Sequence, residues 1–196
     1  MSRKTLFFAT ANLYKFEEFS RLFANYGIEL EHYDLAIPEI QNIDMSIILR
    51  DKVIKAYEVL SRPVLVDHSG LAMRALQELP QGLNKQFWEI LKDQVCELAT
   101  KLDDRRAEMI VYLGFCDGRR IHSVFHREPG EIAKKPSSEG TFHLDRVFIP
   151  AGHTLTLAEM SRSERDKISH RLKVTEKAIA MLHTLPYGIE LGLRKG

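Results

Sequence analysis

Apolar residues along the first half of the chain follow two alternating patterns. Short apolar runs predict β-strands at residues 5–10, 28–35 and 64–66. Elsewhere apolar residues recur every three or four positions, which predicts helices at residues 12–26, 43–60 and 84–102. Pro63 ends the second helix, while Pro80 and Gly82 mark residues 71–82 as a loop or a broken helix. This alternation of strands and helices is typical of α/β proteins.

The second half of the chain is richer in strand signals. Two β-rich runs, residues 107–115 and 119–125, are joined by a Cys-Asp-Gly segment, and Asp-Gly between such runs predicts a hairpin. The pattern then predicts a loop with a short strand at 128–140, a strand at 146–149 and a final helix at 164–182. We therefore expect an α/β fold with an antiparallel extension. Residues 1–196 are expected to form a single domain of two lobes that share a sheet and enclose a cleft.

Composition and charge narrow the class of protein. Of the 196 residues, 44% are hydrophobic and 28% are charged, as in ordinary soluble domains. The formal net charge of +1 gives no overall field that would attract nucleic acid or an anionic membrane. No apolar run approaches the roughly 18 residues of a membrane span. The N-terminal apolar run is too short for a signal peptide, and Cys96 and Cys116 are expected to be buried free thiols. We therefore expect a cytoplasmic protein with no nucleic-acid or membrane partner.

A candidate anion site lies between the first strand and the first helix. Thr10, Asn12 and Lys15 fall on the turn that opens this helix. Backbone N–H groups and the helix dipole attract anions at such a position, and Lys15 adds a positive charge. The alternative is that Asn12 is only a helix N-cap and Lys15 a solvated residue of the first turn. The local pattern alone favours this alternative, because asparagine is a common capping residue.

Candidate catalytic residues follow the apolar run at residues 64–66, in the stretch VDHSGL. Asp67 is a candidate metal ligand or general base, and His68 a candidate base, nitrogen ligand or packed neutral side chain. Successive strand residues point to opposite faces, so the two aim at different atoms unless the strand has already ended in a turn. Glu39, in the loop IPEIQN, could bind a hard cation such as Mg²⁺ or could be an ordinary surface glutamate.

A basic segment near the C-terminus offers further candidates. The residues Ser161 and Glu164 predict a capping box, which places Arg165 in the first helical turn. His170 and Arg171 lie further along the same predicted helix. They could form a clamp for phosphate and a carbonyl group, or a solvated basic face.

In this order the motifs resemble those of the inosine/xanthosine triphosphate pyrophosphatases. The matching stretches, spread over nearly the whole chain, are TANLYKFEE, PEIQN, VDHSGL, LQELPQGLNK, TFHLDRVFIP and TLAEMSRSERDKISHR. The resemblance implies a long curved mixed β-sheet flanked by helices, in two lobes with a central cleft. It also implies a Mg²⁺-dependent homodimer, with Mn²⁺ or another divalent ion as an alternative. The implied reaction splits a purine nucleoside triphosphate into a monophosphate and pyrophosphate.

The resemblance also implies roles for individual residues. Glu39 and Asp67 would bind the metal and, with His68, form the catalytic group. Phosphates would be held by Thr10, Asn12, Lys15 and Arg165. Phe142 would stack on the base, Asp145 would contact its polar edge, and His170 and Arg171 would recognise its 6-keto oxygen. The remaining substrate-binding positions of the matching motifs are Ser69, Lys85 and His143.

Departures from the family pattern cluster at the site and leave three interpretations. His68 stands where the family has a second, metal-binding acid, and His143, Leu144 and Arg146 alter the base pocket. The chain could be an active pyrophosphatase with a shifted substrate or metal preference. It could instead be a nucleotide-binding relative with little catalysis. It could also be a relative recruited to another phosphohydrolase or glycosidic reaction on a modified nucleotide.

Overall fold

The computed structural model of the chain describes residues 4–139 and 144–185. In its first half, strands and helices alternate. The strands are β1 (Lys4–Ala9), β2 (Ile28–Tyr33), β3 (Val64–Met73), β4 (Arg106–Cys116), β5 (Ile121–Ile132) and β6 (Phe148–Pro150). The helices are α1 (Leu13–Ala24), α2 (Met45–Leu60), α3 (Asn84–Leu91), α4 (Gln94–Lys101), α5 (Arg162–Ile168) and α6 (His170–Thr184).

The six described strands form one mixed sheet in the order β2-β1-β3-β4-β5-β6. Strand β1 pairs in parallel with β2 and β3, and the remaining neighbours are antiparallel. The connections through α1 and α2 bring the carboxyl end of β1 beside β3. The turn that follows β1 therefore lies next to the polar residues of β3.

Alternate residues of β1 and β3 face two different layers of helices. Phe8 and Leu65 belong to a buried cluster with side chains of α1 and α6. Ala9, Val64 and Val66 belong to another buried cluster with side chains of α2. Because successive strand residues point to opposite faces, the helices cover both sides of the sheet. The expected mixed sheet flanked by helices is confirmed, whereas its division into two lobes of a single domain stays a prediction. Among the described residues no helix combines the length and the apolar character needed to cross a membrane.

Two strands are longer than the sequence pattern predicts. Strand β3 does not end in a turn after Val66, and Asp67, His68 and Ser69 lie within it, opposite Leu113, Tyr112 and Val111 of β4. Strand β5 continues without a break to Ile132, into the segment 128–140 that was expected to be a loop with a separate short strand. The long strand β4 pairs with both β3 and β5 along their length. This pairing keeps their polar residues in strands, although the local sequence favours turns or loops.

Two predicted helices are each divided in two. The helix expected at residues 84–102 breaks at Lys92, which takes a left-handed backbone conformation with φ of 48°. The final helix breaks at Ser169, whose extended backbone separates α5 from α6. The Ser169 hydroxyl oxygen accepts a hydrogen bond from the Arg171 backbone N–H at 3.1 Å and so begins a new helix. The helical periodicity continues across both breaks, so it could not show them.

Gly70 permits a close backbone approach beside the polar residues of β3. A Cβ atom at this position would lie 2.5 Å from the backbone oxygen of Gln81. We therefore expect Gly70→Ala to lower the free energy of unfolding by about 1–3 kcal/mol, because the loop at residues 81–83 has to move. Chemical denaturation checks this value, and an unchanged midpoint would show that the loop gives way freely.

Candidate active site

A cleft of about 740 Å³ lies at the carboxyl end of β1, beside the polar residues Asp67, His68 and Ser69 of β3. Its walls come from the turn after β1, the loop at residues 35–39, β3 and α3. The predicted site residues that line it are Thr10, Asn12, Lys15, Glu39, Asp67, His68, Ser69 and Lys85. The structure therefore brings together eight residues that the sequence spreads over 76 positions, from residue 10 to residue 85.

The turn after β1 is ordered by its own polar side chains. The Asn12 side-chain oxygen accepts from the Lys15 backbone N–H at 3.1 Å, and the Thr10 hydroxyl oxygen accepts from the Asn12 N–H at 3.1 Å. Asn12 is thus a helix N-cap, as one interpretation expected. The cap does not exclude anion binding, because it fixes the start of α1 against the cleft and keeps the positive end of the helix dipole there. Phosphate binding by this turn stays a prediction.

Lys15 is partly buried and pairs with the buried Asp67 in the cleft. Its Nζ lies 2.6 Å from Asp67 Oδ2, and the Ser69 hydroxyl donates to the same oxygen at 3.2 Å. Burial by itself would raise the pKa of Asp67, but the charges of Lys15 and Lys52 outweigh it and hold the pKa at about 2. Asp67 is therefore ionised, and burial lowers the pKa of Lys15 against the opposing pull of Asp67.

Lys52 organises the other side of the cleft and was not among the predicted site residues. Its Nζ donates to Glu39 Oε1 at 2.6 Å and to the Asp67 backbone oxygen at 2.9 Å. The signal that could have revealed it is its place on the buried stripe of α2, four residues after Ile48 and next to Val53. A lysine within an apolar stripe needs a specific partner for its charge.

His68 faces Glu39 rather than Asp67. The distance from His68 Nδ1 to Glu39 Oε1 is 3.7 Å, while Nε2 is buried without a hydrogen-bond partner in the described part of the chain. Burial lowers the pKa of His68, which is therefore neutral at pH 7. Burial would raise the pKa of Glu39, but His68 and Lys52 together hold it well below its usual range. As expected for neighbours in a strand, Asp67 and His68 have different partners.

A second polar cluster joins α1 to the turn at Leu144–Arg146 and to helices α5 and α6. The Tyr14 hydroxyl donates to Asp145 Oδ2 at 3.0 Å, and Arg165 Nη1 lies 3.6 Å from that oxygen. Arg171 Nη1 donates to Glu18 Oε2 at 2.6 Å. Because Arg171 is only 1% exposed, the interpretation of this segment as a solvated basic face is wrong at that position.

The remaining predicted residues lie around this cluster or outside the described chain. His170 is buried, and burial holds its pKa well below the usual value, so the ring is neutral. Its Nε2 has no hydrogen-bond partner in residues 4–139 and 144–185. Phe142 and His143 fall outside the described residues, whereas Leu144 lines the cleft. The predicted capping box of Ser161 and Glu164 is present at the start of α5.

The carboxylates of the cleft allow a test of the implied metal. Within the described ranges no three histidine, cysteine, aspartate or glutamate side chains converge to hold a metal ion. Three carboxylate residues line the cleft: Glu39 at its wall with 32% of its side chain exposed, the buried Asp67, and Glu89 of α3. Magnesium is commonly held by one or two carboxylates together with substrate phosphates. Glu39 and Asp67 therefore offer the kind of oxygen ligand that Mg²⁺ takes, and each is now paired with a lysine.

The fold and the site define a class of α/β protein in which lysines and carboxylates line one cleft beside the sheet. A sequence model of the Ham1 family matches residues 6–181, and the chain belongs to this family. Two similar archaeal proteins are a dITP/XTP pyrophosphatase of Methanopyrus kandleri and one of Saccharolobus solfataricus. The first is 35% identical, covering 87% of this chain and 92% of its own length. The second is 34% identical, covering 89% and 92%.

A fungal relative and two solved structures agree with this assignment. The inosine triphosphate pyrophosphatase of Tuber melanosporum is 32% identical, covering 88% of this chain and 94% of its own. The Ham1 protein of Staphylococcus aureus superposes with a TM-score of 0.72 at 21% identity, covering 90% of this chain and 97% of its own. The HAM1 protein of Coxiella burnetii gives 0.74 at 23% identity, covering 90% and 98%. These two structures confirm the fold.

Proposed function

We propose that the chain is a nucleoside triphosphate pyrophosphohydrolase that acts on a purine nucleotide of the inosine or xanthosine type. The observation that carries the proposal is the convergence of Lys15, Lys52 and the N-terminus of α1 on a cleft that also holds Glu39 and Asp67. The names of the relatives support the same reaction. Products would be a nucleoside monophosphate and pyrophosphate.

Binding of the triphosphate is an exchange of ionic partners. In the structure Lys15 pairs with Asp67 and Lys52 with Glu39. A phosphate chain carries several negative charges and would draw both ammonium groups towards it, assisted by backbone donors at the start of α1. This exchange would release carboxylate oxygens of Asp67 and Glu39 as the phosphates arrive.

The released carboxylates would then prepare the attack of water. A water oxygen bonds to phosphorus at the α–β anhydride while the bridging P–O bond breaks, and a carboxylate accepts the proton that the water loses. Lys15 and Lys52 stabilise the charge that develops on the phosphate oxygens. We propose Glu39 and Asp67 as the residues that would hold Mg²⁺, which when bound neutralises phosphate charge and orients the water.

We assign recognition of the base to the second polar cluster. A 6-keto oxygen needs hydrogen-bond donors, for which we propose His170 and Arg171, with Asp145 at the other polar atoms of the base. An amino group at that position would leave those donors without acceptors, which disfavours adenine. We also propose that the protein is cytoplasmic and forms a homodimer; light scattering of the purified chain tests the dimer.

His68 favours a second candidate, a nucleotide-binding relative with little catalysis, since it replaces the acid of the family pattern. Release of pyrophosphate from inosine, xanthosine and adenosine triphosphates, with Mg²⁺ and with Mn²⁺, separates the two. We expect turnover of the 6-keto nucleotides. Tight binding without turnover would support the second candidate, and the absence of both would contradict the two together.

A further inference from the structure

Tyr14 joins the phosphate side of the site to the proposed base-recognition side. It lies in the first turn of α1, directly before Lys15, and its hydroxyl donates to Asp145 Oδ2 at 3.0 Å. The two residues are 131 positions apart in the chain. Asp145 is only 3% exposed, and Arg165 Nη1 approaches the same oxygen, Oδ2, at 3.6 Å.

The other carboxylate oxygen of Asp145, Oδ1, differs from Oδ2 in having no partner in the described residues. Oδ1 is buried and has no hydrogen-bond partner among residues 4–139 and 144–185. A buried acceptor without a partner costs about 1–3 kcal/mol, so a site of this kind is suited to a ligand that brings a donor. The N1–H of hypoxanthine or xanthine is such a donor, whereas N1 of adenine is an acceptor.

The protonation of Asp145 decides which of these bases it can meet. Burial raises the pKa of Asp145, and Glu18 adds to this, while Arg171, Arg165 and the Tyr14 hydroxyl act in the opposite direction. Burial and the nearby Asp145 also raise the pKa of Tyr14, so its hydroxyl keeps its proton and remains a donor. An ionised Asp145 accepts from N1–H, but a protonated one could donate to adenine N1.

We propose that Tyr14 is a positioning residue that determines base specificity, because its hydroxyl occupies Asp145 Oδ2 and leaves Oδ1 as the acceptor for a 6-keto purine. This inference rests on the proposed function, in which Asp145 contacts the base. Tyr14 acts through Asp145 and takes no part in the bond that is broken. Removal of its hydroxyl therefore alters the choice of base more than the rate of the chemical step.

The test is Tyr14→Phe, with Tyr26→Phe as the matched control. Tyr26 is exposed beyond the end of α1 and lies outside the cluster. For each protein, kcat and KM are measured with inosine and adenosine triphosphates, and Kd with the two monophosphates. In Tyr14→Phe we expect the preference for inosine over adenosine to fall about tenfold, through KM and Kd more than kcat. Tyr26→Phe should keep the wild-type ratio.

Other outcomes have equally definite meanings. An equal loss for both bases would show a merely structural role and overturn the inference, and so would an unchanged ratio in folded Tyr14→Phe. If the wild type binds the monophosphates but releases no pyrophosphate, the proposed function fails while the Kd ratios still decide the role of Tyr14. A wild type with no preference between the monophosphates also overturns it.

Discussion

Replacement of Lys15 by methionine is expected to lower kcat/KM for inosine triphosphate by about 10²–10³-fold. Lys15 Nζ contacts Asp67 at 2.6 Å in the cleft and would move to the phosphates when the nucleotide binds. Methionine keeps much of the volume of the side chain but removes the charge. Steady-state release of pyrophosphate measures the loss, and Lys101→Met, which removes an exposed ion pair with Glu97, is the control with little expected effect.

The same substitution also affects stability and needs a second variant. Without Lys15, the buried carboxylate of Asp67 loses its closest charge partner, which typically costs about 3–5 kcal/mol. In the double variant Lys15→Met, Asp67→Asn that charge is absent, so we expect much of the lost stability to return without recovery of activity. If Lys15→Met is well folded and as active as the wild type, the assignment of Lys15 to the phosphates is wrong.

His68→Asp is expected to raise the Mg²⁺-dependent activity by about tenfold, equivalent to about 1.4 kcal/mol. Its Nδ1 lies 3.7 Å from Glu39 Oε1, so an aspartate there would place a second carboxylate beside the first. Imidazole suits Mg²⁺ poorly, whereas carboxylate oxygens are its usual protein ligands. Activity is measured as pyrophosphate release over a series of Mg²⁺ concentrations.

His68→Asn separates charge from size in this experiment. Asparagine offers an oxygen but no negative charge, so it should gain much less than aspartate. A folded His68→Asp protein whose activity is unchanged or lower at every Mg²⁺ concentration would show that the imidazole does not limit catalysis. The proposed effect of the replaced acid would then have to be abandoned.

The sequence predicted the layout of this fold well where the periodicity was local. Strand β2 and helices α1 and α2 lie close to their expected positions. Strand β3 was expected to end at Val66, because the polar Asp67, His68 and Ser69 look like a turn. They remain in the strand because β4 pairs with β3 as far as Met73. Their polar side chains line the cleft. No local pattern contains that information.

For the candidate site, the sequence identified several residues but not the contacts between them. The motifs that resemble the family located Lys15, Glu39 and Asp67, which the structure brings to one cleft. Lys52 was missed because its place on the apolar stripe of α2 signals a buried charge but does not identify the partners of that charge. The contact between Tyr14 and Asp145 depends on how α1 lies against the turn at Leu144–Arg146, which only the folded chain reveals.

A structure of the chain bound to a non-hydrolysable inosine triphosphate analogue with Mg²⁺ tests the central claim most directly. That claim is an exchange in which phosphates replace carboxylates as the partners of two lysines. The account predicts phosphate oxygens within hydrogen-bond distance of Lys15 Nζ and Lys52 Nζ, with both lysines displaced from Asp67 and Glu39. Phosphates bound elsewhere, with both lysines still paired as they are now at 2.6 Å, would contradict it.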